Sequence, residues 1–122
     1  MPKVAQPPST FTLSKDSPDA FLRTGLDYFL RARGAEKVMI SGFFLESCVA
    51  ATAVGAARAG YEVTVVKNCS VAGLASEGEA IKRIRRRESG IEIANLREVL
   101  PQISRHRVGE AAPGSMRVLT HA

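Results

Sequence analysis

Cys48 and Lys15 are the two side chains whose type and position in the sequence suggest chemistry. Cys48 follows the apolar run Val38–Ile40, the turn residues Ser41 and Gly42, and a five-residue loop, and it falls at the predicted start of an alanine-rich helix. Unpaired N–H groups and the helix dipole favour an anion at that position, such as the nucleophilic thiolate, or an oxyanion formed during a reaction. A small buried hydrophobic role is the alternative, because free cysteine is among the most buried residue types.

Lys15 comes directly after a predicted short strand at Thr10–Ser14. Catalytic groups of α/β sheets collect at the carboxyl ends of the strands, so a lysine at that point is placed for chemistry. The alternative is an exposed loop lysine, since lysine is seldom buried.

The elements that would position these side chains alternate between strand and helix. After Thr10–Ser14, capping residues and hydrophobic periodicity predict a helix from Ser17 to Arg33 that stops at Gly34, and then the strand Val38–Ile40, which Gly42 ends. The next predicted helix runs from Cys48 to Ala59, with Glu46 or Ser47 as its N-cap and Gly60 as its stop. The remaining predicted elements are a strand at Glu62–Lys67, a loop at Asn68–Gly73, a helix at Glu77–Ser89 and a strand at Ile91–Ala94. This order predicts an α/β fold with a mostly parallel sheet of about four strands between two helix layers. Lys15, the segment Gly42–Cys48 and the segment Asn68–Val71 would then share the carboxyl edge of the sheet.

The residues around Cys48 also form a specific pattern. Gly42, Glu46, Cys48 with Val49, Thr52, Ala53, Gly60 with Tyr61, and Val65 with Val66 resemble the second half of the isochorismatase-like cysteine hydrolases; upstream, Lys15, Ala20 with Phe21, Leu26 and Leu30 resemble the lysine segment of that family. The resemblance covers roughly Phe11 to Leu100. It implies a truncated isochorismatase-like, Rossmann-like fold that corresponds to the latter part of a full-length member.

The resemblance also implies a mechanism. Members of the family hydrolyse amide or vinyl-ether bonds with an aspartate, a lysine and a cysteine: the cysteine attacks, the aspartate takes its proton and the lysine assists. In amidase members the acyl group is held as a thioester until water releases it. Cys48 corresponds to the nucleophile and Lys15 to the lysine, and the backbone N–H groups of Phe44 and Cys48 correspond to the oxyanion donors.

The aspartate of the family has no counterpart here, and neither does the strand that follows it. The acids near the site in sequence are Asp16, Asp19 and Glu46, of which Glu46 is two residues from Cys48. A carboxylate before a helix usually acts as a cap, so Glu46 is a weak substitute for the base. Some members bind a metal beside the aspartate; this sequence suggests no metal site and no cofactor.

The sequence therefore supports a hydrolase that acts on a small amide or related substrate, weak or inactive because the aspartate is missing. Phe43, Phe44 and Glu46 are the candidate substrate-binding residues, with the two aromatic rings as an apolar wall. The alternative is a catalytically inactive, truncated member of the family that serves as a binding protein or as a subunit of an oligomer.

Composition gives the remaining expectations. The chain has 122 residues, 45% of them hydrophobic and 24% charged, which is typical of one globular domain. It has no apolar run long enough to span a membrane and no apolar signal-peptide core, so we expect a cytoplasmic protein that does not bind membranes. In that compartment Cys48 and Cys69 would stay reduced, with Cys69 serving packing. The two histidines, His106 and His121, lie outside any zinc-ligand spacing.

The formal net charge of +5 arises mostly from the predicted helix at Glu77–Ser89, which carries Lys82, Arg83, Arg85, Arg86 and Arg87. A basic patch alone gives non-specific affinity, and no recognised nucleic-acid motif accompanies it. We therefore interpret this helix face as solvated and expect no specific nucleic-acid partner.

Three regions and a homo-oligomer complete the predictions. Residues 1–9, with three prolines, are expected to be a flexible lead-in, residues 10–100 the α/β domain, and residues 101–122 a C-terminal extension or arm. Pro101 breaks any regular pattern there, whereas Met116–Thr120 is suited to a strand or to an arm on a partner. Without the missing strands, Thr10–Ser14 would either pair with Val38–Ile40 or leave an edge that a second copy fills.

Overall fold

The computed structural model describes residues 12–105 and 115–120, and the side chains of residues 12–102. Its strands are β1 (Lys37–Phe43), β2 (Glu62–Val71), β3 (Glu92–Ala94) and β4 (Ser115–Thr120). Its helices are α1 (Leu26–Ala32), a π-helical turn (Leu45–Val49) that continues into α2 (Ala50–Arg58), α3 (Glu77–Arg87) and α4 (Leu96–Arg105). The strands form one sheet in the order β3-β2-β1-β4, and all three pairings are parallel.

Alternating residues of β1 divide the interior into two cores. Val38 and Ile40 lie in the larger core, which includes buried residues of α1, α2 and α3, while Met39 points to the other face and packs near Val99 of α4. Successive side chains of a strand face opposite sides of a sheet, so helices cover both faces. The predicted three-layer α/β/α fold with a parallel sheet is confirmed.

The predicted strand at Thr10–Ser14 is wrong for the residues that the structure describes. Residues 12–15 are irregular, while Thr10 and Phe11 lie outside the described residues. The physical reason is the pairing of β1, which has β2 on one side and β4 on the other. The predicted pairing of Thr10–Ser14 with Val38–Ile40 is therefore also wrong.

The predicted helix from Ser17 to Arg33 begins only at Leu26. Residues 16–25 form bends and turns, and Arg23 has a φ of 54°, which a right-handed helix does not allow. Two backbone N–H groups in this stretch bond to side chains instead of helix carbonyls: that of Ala20 to Thr52 Oγ1 at 3.0 Å, and that of Phe21 to Asp19 Oδ1 at 2.9 Å. Such side-chain bonds compete with helix formation.

Gly42 does not end β1, as the sequence predicted, and β2 continues through part of the predicted loop Asn68–Gly73. The register of the two strands shifts between Ile40, opposite Val65, and Gly42, opposite Ser70. Gly42 has a φ of 139°, which glycine adopts without strain. A bulge at this point therefore extends both strands beyond their predicted ends.

The C-terminal part is more regular than the sequence indicated. Pro101 lies inside α4, so it does not break the regular structure there. Two contacts hold α4 to the sheet: Val99 is buried with 2% exposure, and Lys37 Nζ of β1 donates a 2.8 Å hydrogen bond to Gln102 Oε1. The predicted strand at Met116–Thr120 is found as β4, which belongs to the sheet of its own chain. The predicted lead-in 1–9 lies outside the described residues. Within residues 12–105 and 115–120, no helix is long and apolar enough to cross a membrane.

Candidate active site

Cys48 lies near the amino end of the continuous helix formed by the π-helical turn and α2. The residue before this turn is Phe44, whose carbonyl accepts hydrogen bonds from the N–H groups of Ser47 at 2.9 Å and Val49 at 3.2 Å. No side chain caps the turn, so the predicted N-cap role of Glu46 or Ser47 is wrong. Cys48 is 8% exposed, which leaves a small opening to solvent.

Lys15 and Cys48 are brought together although 33 positions separate them. Lys15 Nζ donates a hydrogen bond to Cys48 Sγ across 3.7 Å and another to the carbonyl of Ser17 at 3.1 Å. Lys15 is half-buried, and so it is not the exposed loop lysine of the alternative interpretation. The contact places a positively charged group beside the sulfur, on the carboxyl side of β1.

Thr52 fixes the segment that carries Lys15. It is fully buried and lies one helical turn after Cys48, on the same side of the helix. Its hydroxyl accepts the N–H of Ala20 at 3.0 Å and donates to the carbonyl of Pro18 at 3.2 Å. One buried hydroxyl thus joins the helix of Cys48 to the loop of Lys15.

Asp19 makes a second contact between the same two segments. A Cβ atom at Gly55 of α2 would lie 2.6 Å from both carboxylate oxygens of Asp19, so the loop approaches the helix at a position that only glycine leaves open. Small residues allow such an approach.

The three acids near the site in sequence all have partners other than Cys48. Asp16 pairs with Arg23 at 3.4 Å, Asp19 accepts from the N–H of Phe21, and both oxygens of Glu46 accept from the N–H of Gly73 at 2.6 and 3.0 Å. The geometry therefore does not support Glu46 as a substitute base. Among the side chains that the structure describes, those of residues 12–102, no three metal-ligating groups lie together.

A groove of about 860 Å³ opens beside the π-helical turn in which Cys48 lies, although Cys48 itself is not part of the lining. Its lining comprises three residues of the segment that precedes Cys48, the loop after β2 and one basic residue of α3: Phe44, Glu46, Ser47, Ala72, Gly73, Leu74, Ala75 and Arg83. Of the predicted substrate-binding residues, Phe44 and Glu46 line this groove. Phe43 does not; it packs edge-on against the ring of Phe44 at 5.8 Å between centroids.

Sequence reasoning missed two features near this groove. Arg83 was assigned with its neighbours to a solvated helix face, although the helical spacing from buried Ala80 and Ile84 places it at the border of that face. Cys69 was assigned to packing, but it is exposed because the bulge carries it away from the core.

A titratable cluster lies at the opposite, amino edge of the sheet. The Tyr61 hydroxyl donates to Asp27 Oδ1 at 2.7 Å, and Asp27 also binds Arg31 at 3.0 Å. Burial, together with the Asp27 carboxylate, raises the pKa of Tyr61 to about 12. The hydrogen bond from Tyr61 in turn lowers the pKa of Asp27. This cluster serves stability, since the cavity and Cys48 lie at the other edge.

Comparison with known proteins places this geometry in a family. A sequence profile for the isochorismatase domain matches residues 1–98. Maleamate amidohydrolase from Pseudomonas putida is 35% identical over 66 residues, which are 54% of this chain and 31% of that protein.

Solved structures give the same result. An isochorismatase family protein from Desulfovibrio vulgaris is 31% identical with a TM-score of 0.69, covering 84% of this chain and 54% of that one. Pyrazinamidase of Pyrococcus horikoshii, in complex with zinc, is 33% identical with a TM-score of 0.59, covering 68% of this chain and 46% of that one. The chain thus spans about a third of the curated relative and about half of these structures. Because the profile covers most of the chain, this protein belongs to the isochorismatase family.

Proposed function

We propose that this chain hydrolyses a small amide, with Cys48 as the nucleophile and Lys15 as the cation that assists it. The observation that carries the proposal is the 3.7 Å hydrogen bond from Lys15 Nζ to Cys48 Sγ. The names of the relatives support the reaction class, since one is an amidohydrolase and another an amidase.

The proposed reaction proceeds through a thioester. Cys48 Sγ bonds to the amide carbon, and the N–H groups of Phe44 and Cys48 stabilise the resulting oxyanion. When the C–N bond breaks, the proton that the Cys48 thiol gave up is transferred to the leaving nitrogen, which departs as ammonia, and the acyl group stays on sulfur. Water then attacks the thioester, which gives the carboxylic acid and returns the thiol.

The acids nearest to Cys48 in sequence do not provide it with a general base. Asp16, Asp19 and Glu46 bind other groups, and Lys15 supplies positive charge but does not take a proton while it is an ammonium group. General-base catalysis typically contributes about 10²- to 10⁴-fold. We therefore expect slow turnover compared with an enzyme that has the complete triad.

Ammonia release tests the proposal directly. The unmodified chain is incubated with a panel of small primary amides, beside Cys48→Ala and, as a matched control, Cys69→Ser. The proposal requires ammonia release and an acyl adduct on Cys48 by mass spectrometry, both lost in Cys48→Ala and retained in Cys69→Ser. Equal ammonia release by Cys48→Ala and the unmodified chain would contradict it.

The second candidate is a family member without turnover that acts as a subunit of a homo-oligomer. It is favoured by the engagement of all three nearby acids and by the exposure of large apolar side chains at the carboxyl edge: Phe43, Phe44, Val71 and Leu74. Such side chains often mark interaction surfaces. Light scattering distinguishes the two, because a monomer with turnover contradicts the subunit role, whereas an oligomer without ammonia release supports it.

A further inference from the structure

Glu46 joins the π-helical turn that contains Cys48 to the loop after β2. Both of its carboxylate oxygens accept the N–H of Gly73, at 2.6 and 3.0 Å. A hydrogen bond to a charged acceptor is roughly twice as strong as one between neutral groups. The two residues are 27 positions apart in the sequence, so the contact fixes the turn relative to a distant segment.

The backbone of Gly73 approaches two residues of the segment that leads to Cys48. A Cβ atom at Gly73 would lie 2.5 Å from Glu46 Oε1, and 3.0 and 3.1 Å from two ring carbons of Phe44. A larger residue at this position would therefore displace the carboxylate, the ring or the loop. The missing side chain of Gly73 allows the loop to lie against both groups.

Glu46 lies midway in sequence between the two oxyanion donors of the proposed reaction, the backbone N–H groups of Phe44 and Cys48. Leu45 and Val49 are fully buried and anchor the inner side of the turn, whereas Phe44 is 43% exposed. No side chain caps the start of the turn. The bond from Gly73 to Glu46 therefore supports the side of the turn that faces solvent.

The support that Glu46 gives concerns the donors more than the sulfur. Donors stabilise an oxyanion only when they are held in the correct place before the reaction. A misplacement of about 1 Å at a reacting centre can cost about 10²-fold in rate. The sulfur of Cys48 has its own contact with Lys15, which comes from a different loop.

We infer that Glu46 is a positioning residue, whose bond to Gly73 holds the N–H groups of Phe44 and Cys48 where the oxyanion forms. The inference rests on the proposed function and adds the group that keeps its oxyanion donors in place. Glu46 should therefore affect reactions of Cys48 that pass through an oxyanion and spare those that do not.

Two reagents separate these kinds of reaction. With p-nitrophenyl acetate, Cys48 Sγ bonds to the ester carbonyl carbon and an oxyanion forms. The C–O bond then breaks, p-nitrophenolate leaves with the electron pair, the acetyl group stays on sulfur, and the thiol proton passes to the buffer. With iodoacetamide, the sulfur displaces iodide from a saturated carbon, and no oxyanion forms. Absorbance measures the burst of p-nitrophenolate, and mass spectrometry measures alkylation.

Every variant is made in a chain that carries Cys69→Ser, so that Cys48 is its one cysteine. Glu46→Ala should slow the burst by about 10-fold, because it loosens the donors without removing them, and should not slow alkylation. Glu46→Gln keeps an acceptor for the N–H of Gly73 and should retain most of the burst. Glu77→Ala, at an exposed position in the first turn of α3, is the control and should change neither rate.

The pattern of rates decides the inference. Equal slowing of the burst and of alkylation in Glu46→Ala would indicate general damage to the site and overturn it. Equal loss of the burst in Glu46→Gln and Glu46→Ala would also overturn it, because the effect would then come from the charge and not from the bond to Gly73.

The same measurements distinguish this inference from the proposed function. A burst that depends on Glu46, in a chain that releases no ammonia from amides, supports the positioning role and contradicts the hydrolase. Ammonia release with an unchanged burst in Glu46→Ala overturns the positioning role and leaves the hydrolase intact. Absence of any burst from Cys48 overturns both.

Discussion

The carboxylate of Asp19 occupies the space in which the side chain of residue 55 would begin. Both oxygens of Asp19 lie 2.6 Å from the position of a Cβ atom on Gly55. Gly55 thereby allows the Lys15 loop to lie against the helix that begins near Cys48. Glycine inside a helix is usually less stable than alanine, but here we expect glycine to be the more stabilising residue. The free energy of unfolding measures this difference.

Gly55→Ala should destabilise the protein, although alanine is the better helix former by about 1 kcal/mol. The added methyl group collides with Asp19, and overpacking of this kind typically costs about 1–3 kcal/mol. Urea unfolding followed by circular dichroism measures the change. Gly78→Ala is the matched control, because a Cβ atom there meets nothing within 4 Å, and it should be neutral or stabilising. A Gly55→Ala variant as stable as Gly78→Ala would refute the packing argument.

Thr52→Val should lower the free energy of unfolding by about 1–3 kcal/mol. The substitution keeps the side-chain volume but leaves the buried N–H of Ala20 without its acceptor. Thr52→Ser keeps the hydroxyl and should cost less. We also expect the rate of Cys48 alkylation by iodoacetamide to change in Thr52→Val but not in Thr52→Ser, because the Thr52 hydroxyl holds the loop that carries Lys15. The opposite order of the two variants in urea unfolding would contradict this role.

Lys15→Met should slow the alkylation of Cys48 by iodoacetamide at pH 7 by about 5-fold. The estimate corresponds to about 1 kcal/mol for one partly solvated charge in contact with the sulfur. Cys69 is exposed and serves as an internal reference that should not change. In the unmodified chain we expect Cys48 to react faster than Cys69 despite its burial, and Lys15→Arg should retain most of the effect. Equal Cys48 rates with lysine and methionine at position 15 would rule out activation by Lys15.

Tyr61→Phe should change the pH dependence of stability at both ends. The fold raises the pKa of Tyr61 from 10.0 to about 12, so its contribution is complete below pH 10 and is lost as the pH rises from 10 to 12. For this buried phenol the contribution is about 3 kcal/mol. The same hydrogen bond lowers the pKa of Asp27 below 3.8, so that contribution is present above pH 4 and is lost as the pH falls further.

Urea unfolding between pH 3 and pH 11 tests this cluster. The stability difference between the unmodified chain and Tyr61→Phe should shrink toward both extremes. Tyr28→Phe, at an 82% exposed position, should leave the profile unchanged. A constant difference across the range would show that Tyr61 acts through packing alone.

The sequence predicted the parallel α/β sheet because strands and helices of this kind depend on local patterns. Short apolar runs mark the central strands, and the predicted helix at Glu77–Ser89 is found as α3 (Glu77–Arg87). The resemblance around Cys48 supplied the expectation that Lys15 lies nearby, and the 3.7 Å contact agrees with it.

The differences arise where distant residues override a local pattern. The helical periodicity from Ser17 onward is real, but Thr52, 32 positions away, takes the N–H of Ala20. The bulge opposite Gly42 is set by two strands together and leaves no mark in either segment alone. Arg83 was missed for the same reason, since its groove is completed by Phe44 and the loop after β2.

The pairing of β4 with β1 determines whether the chain can be shortened at its carboxyl end without loss of solubility. Residues Ser115–Thr120 cover one whole side of β1, whose interior residues Val38–Ile40 are buried. A protein shortened before Ser115 would expose the edge of β1, whose buried apolar residues would then serve as a template for aggregation. Insolubility of a shortened protein would thus reflect the loss of a cover on the sheet rather than damage to the site of Cys48.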